Sequence, residues 1–306
     1  MGRNSRKLLF TGLFIICSIY SFSQPVFTRN FPDTLNTKRL KTVAGVTIGA
    51  YVAGITFLNY VYYHDVERVP FHLHNDIKGH LQMDKFGHAY TAYQQSAIMY
   101  YALRWAGVDK TRALIFGGSA GFIFQAPIEI FDGIYKGWGF SWGDIAANAF
   151  GALLFTGQEA IFNDQIFLMK FSYTPSKYGG LHYSTGNNEF ESFFKDYNAH
   201  TYWFSGGINK LTGSKFFPDW LNIAFGYSIN GVIQKFENPT VYLGEPFPEF
   251  ERTRQYLFSL DVNFTKIPTN KKWLQKLFYA LNLIKIPFPA LEYNKVDKFV
   301  IRPIYF

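Results

Sequence analysis

Three short polar clusters interrupt otherwise apolar helical stretches, and they constrain this chain more than any other feature. They run from Asp84 to His88, from Glu129 to Asp132 and from Asp144 to Asn148. Asp84 and His88 are four residues apart, Glu129 and Asp132 three, Asp144 and Asn148 four. On a helix each spacing puts both side chains on one face. A carboxylate between apolar helices is costly unless it pairs, accepts hydrogen bonds or binds a cation. Three such pairs on consecutive helices therefore predict one shared polar site.

The apolar stretches around the clusters predict about four helices between residues 42 and 165. Thr42 to Tyr63 is apolar for nearly its whole length and long enough to cross a bilayer. Further helices are expected at 83–106, 110–131 and 142–163. Gly117 with Gly121, and Ala147 with Gly151, supply the small-residue spacing that lets helices approach closely. Pro127 removes a helical hydrogen bond two residues before Glu129. The later helices carry Gln94, Arg104, Gln125 and Gln158, so only the first is clearly apolar enough to span. A bundle within the membrane and one lying on it both stay open.

From residue 166 onward the period changes to two. Tyr256, Phe258, Leu260, Val262 and Phe264 alternate with Ser259, Asp261 and Asn263, and Leu221 to Ile229 behaves likewise. These are half-buried antiparallel strands. The fold class is therefore α+β, an N-terminal helical bundle followed by an antiparallel β domain over 166–306. The chain ends Ile304-Tyr305-Phe306, and a terminal Phe after alternating apolar residues looks like the assembly signal of outer-membrane barrels. About six convincing strands fall short of the eight of the smallest single-chain barrels. Arg302 and Pro303 also sit badly in a lipid-facing strand. A sheet packed on the helices or on a membrane surface is expected ahead of a closed barrel.

Residues 1–23 have the form of a signal peptide: basic Arg3, Arg6 and Lys7, an apolar run from Leu8 to Tyr20, and Ser21-Phe22-Ser23 before Gln24. A polar linker occupies 24–41. Cys17, the single cysteine, lies inside the signal behind bulky Phe14-Ile15-Ile16, which is no lipid-attachment motif. The mature chain is then free of cysteine, which excludes thiolate catalysis, disulfides and cysteine-ligated zinc. The net charge of +8 falls to +5 once three basic residues leave with the signal. In an exported protein this modest excess favours an anionic membrane surface or glycolipid over nucleic acid. Aromatic residues make up 20% of the chain, which suits interfacial and lipid contact as well as a Phe-rich core.

Carboxylates, one imidazole and amides can support acid–base chemistry, hold a hard cation, or form a hydrogen-bond network that fixes helix register. The candidate site residues are Asp84, His88, Glu129, Asp132, Asp144 and Asn148. No cofactor is expected unless a divalent metal binds, for which the candidates are His80, Asp84, His88 and Glu129. Asp76, His80, Asp84 and His88 recur every four residues and would line one face of a continuous helix, but Gly79 and Gly87 weaken that helix. Neither a Gly-x-Ser-x-Gly elbow nor a phosphate loop is present.

Met83-Asp84-Lys85-Phe86-Gly87-His88, then Glu129-Ile130-Phe131-Asp132-Gly133, then Gly139 to Asp144 with Asn148 and Gly151, resemble YfiM-type envelope proteins. More distantly they resemble VanZ-like membrane proteins. The resemblance covers residues 80–155 and implies a periplasmic, membrane-associated protein; it carries no established reaction. The expected function is an exported envelope protein in a non-catalytic binding or structural role, with a polar pocket between apolar helices. Its expected partners are a lipid or glycolipid surface and other envelope proteins. Two alternatives stay open: a membrane-surface hydrolase using the acidic and histidine cluster, and an outer-membrane assembly or structural component.

Overall fold

Asn36 starts the first helix by accepting a hydrogen bond from Arg39 N at 3.0 Å on its side-chain oxygen. That helix, α1, covers Thr37–Leu58 and widens into a π turn over Asn59–Tyr63. The computed structural model describes residues 31–306, so the expected signal peptide, Cys17 and the start of the linker lie outside the described residues. The described residues form two compact units: 31–77 together with 87–165 form a helical unit, and 78–86 with 166–306 form a β unit.

Four more helices follow: α2 (Met83–Trp105, whose first turn counts with the β unit), α3 (Lys110–Phe116), α4 (Ala120–Asp132) and α5 (Trp142–Phe162). The single helix expected from 110 to 131 is thus two, separated by a turn at Gly117-Gly118-Ser119. Gly117 lies so close to the Tyr100 backbone that a Cβ would have no room. Gly121 on α4 likewise meets the Ala92 carbonyl. Backbone contact of this kind is what small residues at helix interfaces permit.

Among the described residues, three helical stretches are long and apolar enough to cross a membrane, Thr37–Tyr63, Lys110–Asp132 and Trp142–Phe162, where one was clear in the sequence. Their large apolar side chains are widely exposed: Ile48 is 64% exposed, Leu153 69% and Ile161 74%.

The β unit is a six-stranded antiparallel sheet in the order β1-β2-β3-β6-β7-β8. Its strands are β1 (Phe167–Tyr173), β2 (His200–Gly207), β3 (Leu221–Asn230), β6 (Thr253–Val262), β7 (Phe288–Asn294) and β8 (Lys298–Tyr305). A small hairpin, β4 (Val241–Tyr242) with β5 (Glu245–Pro246), lies between β3 and β6. Short helices occupy three connections: α6 (Glu189–Lys195), α7 (Ile208–Thr212) and α8 (Lys272–Leu281). The other edge of β1 is taken by the segment before β7, where Phe171 N donates to Leu283 O and Lys285 N to Phe171 O.

The alternation read from the sequence is present, but the buried face is the polar one. Register aligns Lys170, Trp203, Gly226, Leu257 and Glu292 across five strands on that face. Lys170 Nζ is 2.8 Å from Asp261 Oδ2, and both side chains are fully buried. Ser205 Oγ donates to the same carboxylate at 2.6 Å, and Asn222 Nδ2 donates to Ser205 at 2.9 Å. Glu292 accepts from Gln255 at 2.6 Å and from Asn294 and Arg302 at 2.8 Å each. Arg302 therefore faces this interior, which removes its conflict with an apolar outer face. Pro303 sits exposed on the edge strand β8, the position in a sheet that tolerates proline.

Candidate functional site: an imidazole between two carboxylates

Each helix of the helical unit delivers its site residue for a local reason. Ser141 caps α5, its Oγ accepting from Asp144 N at 3.2 Å. Asp144 thereby enters the first turn, where the positive end of the helix dipole favours a carboxylate. One turn later Asn148 points to the same side and is fully buried. Glu129, near the end of α4, is also fully buried. Gln125, one turn earlier, donates from Nε2 to His88 O at 2.9 Å and ties α4 to α2.

His88 stands among these groups with its side chain 19% exposed. Its Nδ1 is 3.1 Å from Asn148 Oδ1 and 3.5 Å from Glu129 Oε1. Its Nε2 is 3.7 Å from Asp144 Oδ1. An amide oxygen only accepts, so the contact with Asn148 puts a proton on Nδ1 and leaves Nε2 turned toward Asp144. One ligand atom from each of His88, Glu129 and Asp144 lies within 4.8 Å of the other two. Asn148 Nδ2 has no hydrogen-bond acceptor among the described residues, although it is buried. A ligand oxygen or a water is the kind of group such a donor needs.

Asp132 does not join this cluster: it accepts a hydrogen bond from Tyr63 OH instead, and Tyr63 stacks on Tyr135 at 4.6 Å. Asp84 belongs to the β unit, where Lys85 Nζ lies 3.0 Å from its carboxylate. His80, in the same unit, packs edge-on against Tyr197 at 4.8 Å. The continuous helix through Asp76, His80, Asp84 and His88 does not form. Residues Gly79–Gln82 make a 3-10 turn in which His80 and Leu81 have φ of 42° and 51°, so helical register begins only at Met83.

Asp76 is a residue whose place the sequence misassigned. Ser141 Oγ donates to Asp76 Oδ1 at 2.6 Å while it caps α5. That puts the Asp76 carboxylate within 4.8 Å of that of Asp144. The link joins positions 65 apart through a serine hydroxyl, and no local spacing announces it.

No curated protein and no solved structure matches the chain. Residues 74–156, the stretch that holds every member of this cluster, match the model of a family described as predicted periplasmic lipoproteins (DUF2279), to which this part of the chain is similar.

Proposed function

We propose that the chain is an exported, membrane-embedded protein of the cell envelope whose helical unit binds a divalent cation between His88 and Asp144, in a binding or structural role. The family description, periplasmic lipoprotein, supports export and membrane association. Among the described residues, three helical stretches of spanning length, one of them broken at Gly117-Gly118-Ser119, carry exposed apolar side chains and support insertion of the helical unit in the bilayer.

The observation that carries the cation is the orientation of His88. Glu129 and Asn148 face Nδ1, and Asp144 faces Nε2. Metal-bound histidines have this form, the second nitrogen held by a carboxylate or amide oxygen. Two donors bonded at 2.0–2.1 Å in a tetrahedral site stand about 3.4 Å apart, close to the separation of Nε2 and Asp144 Oδ1. A divalent ion offsets the negative charge that Glu129, Asp144 and the neighbouring Asp76 bring together, which lowers the cost of burying them.

The test is thermal unfolding of the detergent-solubilised full chain, stripped with chelator and then titrated with Zn²⁺, Mn²⁺, Mg²⁺ or Ca²⁺. The reading expects one of these ions to raise the unfolding temperature, and His88→Ala and Asp144→Asn to abolish the rise. No shift and no calorimetric binding with any of the four would leave the cluster as a hydrogen-bond network that fixes helix register.

A further inference from the structure

The six-stranded sheet of the β unit is inside out for a protein in water. Its buried face carries Lys170, Asp261, Glu292 and their hydrogen-bond partners. The opposite face is apolar in continuous rows across all six strands. One row is Met169, Phe204, Phe225, Phe258, Leu291 and Ile301; the next is Phe171, Tyr202, Tyr227, Tyr256, Tyr293 and Phe299. Met169, Tyr202 and Tyr227, toward the β1 side, are buried within the unit, whereas the rest of the face toward β8 is open: Phe225 is 58% exposed, Phe299 71% and Ile301 78%. Burying ionic groups while exposing aromatic rows is costly in water and is the pattern of sheets whose outer face meets lipid.

The two ends of the sheet differ in charge. The β2–β3 and β6–β7 connections leave from one end and carry Lys210, Lys215, Lys266, Lys271, Lys272 and Lys276 against the single acid Asp219. The buried Lys285 is left out of that count. Exposed Phe216 and Trp273 accompany these lysines. The connections at the other end, with the buried Asp196 likewise left out, hold seven carboxylates against five cations. The tyrosine-rich row lies toward that acidic end, as an interfacial aromatic belt would. The ten-residue strands β3 and β6 have the length of a tilted membrane strand, while the flanking strands are shorter.

We propose that the aromatic face of this sheet is a lipid-contact surface, seated in the acyl chains of an anionic bilayer with the lysine-bearing connections at the phosphate headgroups. The partner is a phospholipid membrane rather than a protein. Charge decides this choice: the lysine end and its exposed aromatic residues match an anionic headgroup layer above hydrocarbon.

The experiment uses the full chain with Cys17→Ser, reconstituted in vesicles of phosphatidylglycerol and phosphatidylcholine. Single cysteines replacing Phe258, Leu291 or Ile301 are labelled with an environment-sensitive dye, with Glu245→Cys as the aqueous control. Each variant is first checked for native circular dichroism and protease resistance. The expected result is quenching of the three sheet labels by doxyl-labelled lipid and not by iodide, with the reverse at position 245. A label at Leu277→Cys should lie deeper in phosphatidylglycerol than in phosphatidylcholine, and Lys271→Gln, Lys272→Gln and Lys276→Gln together should erase that difference. Iodide quenching of the sheet labels equal to that of the control, or cross-linking of those cysteines between two copies, overturns the proposal. A label at Leu153→Cys reports separately on the helical unit, so failure of its insertion is distinguishable.

Discussion

Gly151 on α5 lies against Ala89 on α2 so closely that the Ala89 carbonyl oxygen occupies the place of a Cβ. The contact is one residue along from His88 and one turn along from Asn148, so it sets the spacing at which imidazole and amide meet. The close approach follows from the missing side chain at 151, and the 3.1 Å contact of His88 with Asn148 depends on it.

Gly151→Ala should therefore destabilise the helical unit despite alanine's better helix propensity. Overpacking of this kind costs about 1–3 kcal/mol. Gly157, on the same helix, has nothing within 4 Å of the corresponding position. There the substitution should be neutral or stabilising, by roughly 0.5–1 kcal/mol. Thermal unfolding of both variants in detergent checks the pair; equal behaviour would remove the claim of a backbone contact.

Removing one carboxylate from the cluster takes a partner away from groups that stay buried, at about 1–3 kcal/mol for an unsatisfied buried polar group. Glu129→Ala and Asp144→Ala should lower the amount of folded protein in the envelope. Asp144→Asn should be milder, because the amide retains hydrogen-bonding capacity. Abundance and phenotype measured together for Glu129→Gln and Asp144→Asn separate a structural role from a working site. Normal abundance with complete loss of phenotype would rule out a purely structural network, since neither a metal-binding nor a catalytic carboxylate can be replaced by its amide.

Much of this was legible because it is local. The change from helical to two-residue period near 166 marks where β1 begins at Phe167. The four-residue step from Gln125 to Glu129 brings both to the His88 cluster. What was not legible depends on tertiary placement. Asp132 shares a helical face with Glu129 yet is claimed by Tyr63. Asp76 reaches the site through Ser141, 65 positions away. In the sheet, alternation reveals that two faces differ but not which one is buried. The aromatic residues suited a core and a lipid contact alike, and burial of Lys170 with Asp261 and of Glu292 shows that the polar face is inside.

That ion pair makes its own prediction. Asp261→Ala leaves the Lys170 ammonium buried without its carboxylate, and should cost about 3–5 kcal/mol. The double change Lys170→Met with Asp261→Leu removes both charges and should recover much of the loss, because replacing a whole buried pair by apolar groups is often neutral. Ser205 and Asn222, which bond around the same carboxylate, keep the recovery from being complete. Chemical unfolding of the three proteins checks the order; a double variant as unstable as Asp261→Ala would show that packing, not charge, sets the cost.

The last prediction concerns acid. His182, in the connection between β1 and β2, accepts a hydrogen bond from Ser184 N at 3.0 Å on Nδ1 and packs against Tyr183 and Tyr242 at 4.2 and 4.4 Å. Burial pushes its pKa below the usual 6.5, and the accepting role of Nδ1 requires the neutral ring. The unfolded chain then binds a proton between these two pKa values that the folded chain does not. Stability accordingly rises with pH up to about 6.5 and is lost as pH falls below it. His182→Asn keeps a cap acceptor for the turn at Tyr183 but removes the titration. Unfolding midpoints measured from pH 7.5 to pH 5 should fall more steeply for the parent chain than for this variant. Parallel pH profiles would show that acid acts elsewhere in the β unit.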